Sequence, residues 1–214
     1  MCRETGFIRF AGLVGVISPV ATLLAVLAAT ILCGAGCGDD ALTGIRWGDD
    51  GEFSWRVNAL SDLGVSRVAD LFNYSLISAG LLNAVFTLGL MKAYAKNTPF
   101  RLGCVLLFLG GGSLSLVGVF TEEYGMIHGY ASLGYFIVSP IAMVLIGVSF
   151  AKTNMKKEGY FSILAGATAL SVIISGLILE YSHLTWWGFS VPEFAEAAVI
   201  VAWFSFTASG LLRL

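Results

Sequence analysis

Apolar residues run along the chain in six stretches, near 8–33, 69–93, 100–121, 128–150, 160–181 and 193–213, and charged residues gather in the links between them. Each stretch is long enough to cross a hydrocarbon core about 30 Å thick at the roughly 1.5 Å rise of an α-helix. Lipid offers no partner to an open N–H or C=O, so such stretches must pair their own backbone as helices. The pattern predicts an all-α polytopic bundle of six transmembrane helices. It forms one domain over residues 1–214, with its longest link, 34–68, outside the bilayer. The first stretch is too long for the roughly 7–15-residue apolar region of a cleavable signal, and no A-x-A site follows it.

Composition agrees. Hydrophobic residues make up 57% of the chain, charged residues 12%, and the mean hydropathy is +0.85, where a soluble domain carries roughly 25% charged residues. The net charge of −2 says little, but its distribution says more. Arg3, Arg9, Lys92, Lys96, Arg101, Lys152, Lys156, Lys157 and Arg213 fall on one side, and Arg46, Arg56 and Arg67 on the other. Basic residues favour the cytoplasmic side, so this distribution predicts a multi-pass protein of the cell membrane with both termini cytoplasmic. Twelve of the 14 acidic residues and both histidines then lie at the outer ends or in outer links. No basic cluster suits nucleic acid, so that partner class is excluded.

Several local patterns refine this frame. Ser-Pro recurs in "ISPVATLL" at 17–24 and "VSPIAMVL" at 138–145, in spans of opposite direction, as a 3+3 inverted repeat would place it. Gly111, Ser115 and Gly118 share one face of the third span, which suits close helix contact. Cys33 and Cys37 are not a C-x-x-C redox pair, and the spacing favours two free, packed thiols. The Gly- and Asp-rich link 34–68 reads as a solvated acidic loop, with Trp47 and Trp55 at the headgroup level. Ser66 is placed to cap the second span, and Ser190-Val191-Pro192-Glu193 has the S-x-x-E form of a capping box.

Candidate chemistry gathers at the outer ends. In "GVFTEEYGMIHGY" (118–130), Glu122 extends the Gly111–Ser115–Gly118 face and is expected to turn inward, whereas Glu123 is expected to face water. From His128, a helical period places Ser132, Tyr135 and Ser139 on one face, a stripe too polar for lipid. Glu196 sits one turn below Glu193 with no capping role to explain it. Glu180 and His183 close the fifth span. Asp62 in "NALSDLG" (58–64) precedes the second span, where Asn73 follows one turn in; the segment forms a local turn with Gly64 supplying an unusual dihedral, or a lid over the bundle mouth.

Together Glu122, His128, Ser132, Tyr135, Glu196, Asp62, Asn73, Glu180 and His183 form a candidate outward-facing polar pocket. The best-supported role is to bind, sense or translocate a small molecule or lipid headgroup, with membrane lipids as partners. One alternative is a metal-dependent membrane hydrolase with its site at the outer surface; another is a structural subunit of a membrane complex. No cofactor is predicted. A zinc ion, if present, would draw on His128, His183, Glu122 and Glu196, which have suitable donor atoms but no compact ligand motif.

Pro19, the run Ser61-Asp62-Leu63-Gly64, Asn73 and Gly80, Gly118-Val119-Phe120 and His128 occur in an order that resembles an uncharacterised multi-span membrane family, domain-of-unknown-function family 998. Asp62 stands where many members of that family have Glu. The resemblance implies a six-helix topology and no established activity. A more distant similarity, to membrane hydrolases of the ceramidase and progestin-receptor type, would imply zinc held by histidines, an aspartate and a serine; the chain's two histidines and six spans fall short of that pattern.

Overall fold

The computed structural model describes residues 2–38, 44–94, 97–182 and 187–214. Six long helices dominate: α1 (Cys2–Leu32), α2 (Ala69–Ala93), α3 (Thr98–Val119), α4 (Met126–Ala151), α5 (Lys156–Tyr181) and α6 (Ser190–Leu212). All six are long and apolar enough to cross a membrane. Two short 3-10 helices, η1 (Leu60–Val65) and η2 (Glu122–Tyr124), lie at the end of the bundle remote from the chain termini. That end is called distal below.

Each helix packs on its neighbours in sequence, and α6 returns to α1, so the bundle closes into a ring. Lipid tails are as apolar as leucine, so helices associate in a membrane through close contact rather than by escaping water. The sequence supplies that contact with small residues. A Cβ added at Gly80 of α2 would lie 2.2 Å from the Gly111 carbonyl oxygen of α3, and the Ser115 hydroxyl donates to the Ile77 carbonyl at 3.0 Å. A Cβ at Gly118 would meet the Asn73 carbonyl at 2.6 Å. The predicted small-residue stripe is therefore the α2–α3 seam. Pro19 and Pro140 both lie inside helices, α1 and α4.

At the end that carries the termini, Asn97 caps α3 by accepting from the Phe100 N–H at 3.0 Å, and also accepts from the Ser149 hydroxyl of α4 at 2.8 Å. Deeper in the ring, the Trp203 indole of α6 donates to the Ser162 hydroxyl of α5 at 2.8 Å. A core around Phe86, Phe100, Met143, Phe150 and Trp203 fills this half of the bundle.

The distal half corrects five expectations. The link after α1 is a folded cap rather than a solvated loop: Cys33, Cys37, Trp47, Phe53, Leu60 and Leu63 form its buried core. Trp47 is 3% exposed beneath Gly38, so it packs the cap instead of standing at a headgroup surface; Trp55 remains 36% exposed. Cys33 and Cys37 form a disulfide with Cα atoms 5.1 Å apart, not two free thiols. Helix α1 stops at Leu32, and the turn through Gly36 (φ 68°) carries Cys37 back over Cys33. A continuing helix would not have closed that bond. The turn is pinned by Gly36 N–H to the Asp50 carbonyl (2.7 Å), and by Cys37 and Gly38 N–H to the Gly51 carbonyl.

Neither expected serine cap forms. Val68 precedes α2 without a side-chain cap, and the Ser66 hydroxyl instead donates to the Leu63 carbonyl and accepts from the Val68 N–H. Ser190 lies inside α6, where its backbone N–H donates to the Asn58 carbonyl at 3.0 Å and its hydroxyl is buried without a partner among the described residues. Glu193 therefore does not close a capping box, and its carboxylate is free for another task.

Candidate functional site

The site is assembled where η1 folds into the mouth of the ring. Leu60, Ser61, Asp62, Leu63 and Gly64 are all buried, and η1 touches α1, α2, α6 and η2. The segment is therefore both a local turn and a plug. Its start is held by Asp62 Oδ2, which accepts from the Ala59 N–H (2.9 Å) and from Asn58 Nδ2 (2.8 Å). Asn58, fully buried, also donates to the Arg46 carbonyl and accepts from the Ser54 N–H. Gly64 has no positive φ; it is small because Asn73 Oδ1 would lie 2.7 Å from a Cβ there. Asn73 Nδ2 donates to the Gly64 carbonyl at 2.8 Å, which ties η1 to α2.

Glu193 reaches across from α6 to accept the Leu60 N–H at 2.6 Å. This bond joins the plug to the helix whose cap the sequence seemed to assign to it. Glu193 is 5% exposed and within electrostatic reach of Asp62, Glu122 and His128.

Glu122 and His128 meet above this contact. Helix α3 ends at Val119, so Glu122 rides on η2 rather than on an extension of α3, yet it still turns inward. Its Oε1 lies 3.1 Å from His128 Nε2 and accepts from the Ser61 hydroxyl at 2.5 Å. Glu123 is exposed. His128 Nδ1 is 2.7 Å from the Phe120 carbonyl oxygen. That oxygen can only accept, so Nδ1 carries a proton and Nε2 faces Glu122 and the Ser132 hydroxyl, 3.2 Å away. Burial works against the Glu122 carboxylate, but hydrogen bonds from His128 and Ser61 outweigh it and hold its pKa below the ordinary value. Burial pushes the Asp62 carboxyl up to about 6, against its bonds from Asn58 and Ala59 and with some help from the Glu122 charge.

Below the plug lies a central cavity. Its volume is about 100 Å³, well above the roughly 10–15 Å³ needed to admit a water. Its walls are mainly apolar, from Leu76, Val117, Phe136, Ile200 and Phe204 among others, and Leu60 and Ser61 form its roof. Glu193, Ser132 and Tyr135 give it polar groups near the roof. Pro19 and Gly15 also line it; lacking an N–H, Pro19 leaves the Gly15 carbonyl without its helical donor.

Glu196 lies one turn deeper than Glu193, fully buried, within electrostatic reach of Tyr135 and Glu193. Neither of its carboxylate oxygens has a hydrogen-bond partner among the described residues. An ionised carboxylate is costly in such a place. Glu196 therefore holds a proton or meets a donor from beyond the described residues.

The structure thus gathers Asp62, Glu122, His128 and Ser132 around η1, with Tyr135 and Glu196 just beneath and Asn73 bracing the plug. Glu180 is exposed at the last turn of α5 and does not line the cavity. His183 lies outside the described residues. Among the described residues, no group of three or more His, Cys, Asp or Glu is arranged to hold a metal ion. Sequence reasoning missed Asn58, and it gave Glu193 a local role. The i, i+4 spacing of Asn58 and Asp62 and the i, i+3 spacing of Glu193 and Glu196 were the available signals.

A ring of six apolar helices, plugged at one end by a folded cap over a polar-roofed cavity, is a multi-span helical membrane protein. A family model described as "Protein of unknown function (DUF998)" matches residues 41–210, and the chain belongs to that family. The match takes in part of the cap and nearly all of α2–α6, but not α1. No curated protein and no solved structure matches the chain.

Proposed function

We propose that the protein binds a small amphipathic molecule in the central cavity, on the outer side of the cell membrane, with both termini in the cytoplasm. The observation that carries the reading is the cavity itself: apolar walls beneath a roof where Glu193, Ser61, Ser132 and Tyr135 converge, with the unpartnered Glu196 behind them. Ligand sites have this form, mostly apolar with a few directed polar groups. The orientation is supported by nine basic residues on the side of the termini against three on the other. The Cys33–Cys37 disulfide adds independent support, because such bonds persist on the oxidising side of a membrane.

Native mass spectrometry of protein released gently from its own membrane tests the reading. The wild type is expected to retain one small bound molecule per chain. Ala197→Phe, which places a ring in the cavity wall, is expected to lose it and, unlike the wild type, to show no rise in melting temperature on addition of amphiphiles. A wild type that carries no adduct and whose melting is indifferent to added amphiphiles would refute the proposal, as would an adduct that Ala197→Phe leaves in place.

A further inference from the structure

The central cavity has a second boundary, toward lipid. A groove on the outer surface of the ring runs between α1 and α2, lined by Phe10, Leu13, Ile17, Ala25, Ser75 and Ser78 among others. Val14, Ser18, Thr22, Ala79 and Leu82 line both this groove and the central cavity. These five residues are therefore the partition between bilayer and cavity, and three of them (Ser18, Thr22, Ala79) are small. The groove is wide, with a volume of about 470 Å³.

Depth gives the two openings different chemistry. Ala79 lies ten residues into α2, which is about 15 Å below its distal end at 1.5 Å per residue. Ser18 is likewise near the middle of α1. Glu193 is in the first turn of α6 and Ser132 in the second turn of α4. The polar groups thus sit roughly 10 Å nearer the distal end than the partition. A carboxylate above, and at mid-depth apolar walls broken by uncharged Ser18, Thr22 and Asn83, is the order of a lipid in one leaflet. The roof of Leu60 and Ser61, locked by Glu193 and Asp62, closes the direct path from water.

Charge selects the head. Asp62, Glu122, Glu193 and Glu196 lie within electrostatic reach of one another, directly or in succession, and among the described residues His128 is the basic group that faces them. Glu196 has two oxygens to offer and no donor among the described residues. An anionic head brings no charge that would let it ionise, whereas an amine supplies N–H donors and the positive charge that compensates a buried carboxylate.

We propose that the ligand is a bilayer lipid with an amine-bearing head, seated head-up beneath η1, with its chain passing between α1 and α2 into the membrane. This rests on the cavity-binding reading above and names the ligand class and route.

The test uses the full-length protein in phosphatidylcholine vesicles with a long-chain primary amine that carries a photoactivatable diazirine in mid-chain. A fatty acid of equal length with the same diazirine and a short, water-soluble diazirine amine serve as comparisons. Cross-links are mapped by peptide mass spectrometry. The long amine is expected to label cavity-wall peptides containing Leu76, Val117 or Phe136 at least about tenfold over the fatty acid, the equivalent of one buried charge-assisted bond. Ala79→Trp and Leu82→Trp, which fill the partition, are expected to cut that labelling by a similar factor, while Leu81→Trp on the exposed face of α2 leaves it intact. Leu82 is 37% exposed, so its variant stands if Ala79→Trp fails to fold. Equal labelling by amine and fatty acid would overturn the choice of head, and needs no variant. Cavity labelling by the long amine that survives both partition variants would overturn the lateral route yet leave cavity binding intact. Absence of cavity labelling by all three probes would overturn cavity binding itself.

Discussion

The Glu122–His128 pair allows a quantitative test of the cap. His128 is 6% exposed at its side chain and Glu122 30%, with 3.1 Å between Nε2 and Oε1. At an effective dielectric of about 20, two unit charges at that distance attract by roughly 5 kcal/mol. Desolvation of the imidazole offsets much of this, and charge-assisted bonds typically net about 1.5–3 kcal/mol. Glu122→Gln keeps an acceptor for Ser61 but removes the charge, and is expected to cost about 2–3 kcal/mol. For a chain of this length that is a fall in melting temperature of roughly 5–10 °C. Glu123→Gln, at an exposed position, is expected to stay within about 0.5 kcal/mol of wild type. The decisive assay is a double-mutant cycle of Glu122→Gln and His128→Ala, read by thermal unfolding in one detergent at pH 6. A coupling of about 1.5–3 kcal/mol is expected, well outside the roughly 0.5 kcal/mol within which independent sites add. Strict additivity, or equal losses at Glu122 and Glu123, would mean that the pair is not a structural unit and that η2 is only an acidic turn.

Asp62 predicts a pH dependence of opposite sign to that of Glu122. Its folded pKa of about 6 exceeds the 3.8 of an ordinary aspartate, so between these limits the folded state binds more protons, and the stability it contributes falls as pH rises toward and through 6; Asp62→Asn is expected to remove that slope, up to about 3 kcal/mol, leaving the Glu122 contribution, which is lost only as pH falls below about 4.5. An unchanged pH–stability profile in Asp62→Asn would refute the assignment. The disulfide predicts that two of the four cysteines react with a maleimide in denatured, unreduced protein and all four after reduction. With Cys2 replaced by Ser, Asp49→Cys on the cap is expected to react with an impermeant thiol reagent from outside intact cells, and Asn154→Cys only after permeabilisation; the reverse would invert the membrane orientation.

What the sequence made legible was whatever depends on period and solvent. Six helices follow from apolar length alone, and the α2–α3 seam from Gly111, Ser115 and Gly118 at helical spacing. The inward turn of Glu122 was also legible, although the helical register used to reach it was wrong: α3 ends three residues earlier, and η2 delivers the side chain instead. The cap was not legible because its stability is non-local. Gly36, Gly38, Asp50 and Gly51 look solvated when counted, yet the fold closes them over Trp47 and Phe53 through backbone bonds at the Cys33–Cys37 turn. The disulfide escaped for the same reason, since a spacing of four joins cysteines only if the helix stops before it.

Glu193 shows most clearly how a local rule can hide a long-range role. S-x-x-E at the start of an apolar run is a sound capping signal, and Pro192 in the first turn strengthens it. The signal fails because the backbone of Ser190 is already engaged by Asn58, which draws the serine into the helix and leaves its hydroxyl buried. The carboxylate three residues on is then available to the Leu60 N–H, 133 residues away in sequence. One side chain thereby fastens the roof of the cavity to the helix that carries Glu196. Among the described residues Asn73, Ser139, Ser190 and Glu196 keep buried side-chain oxygens without a partner, and of these Glu196 alone is an acid. A hydroxyl or amide left open costs far less than a carboxylate that must be neutralised or paired, which is why the proposed ligand is set against Glu196, beside a cavity whose roof Glu193 fastens.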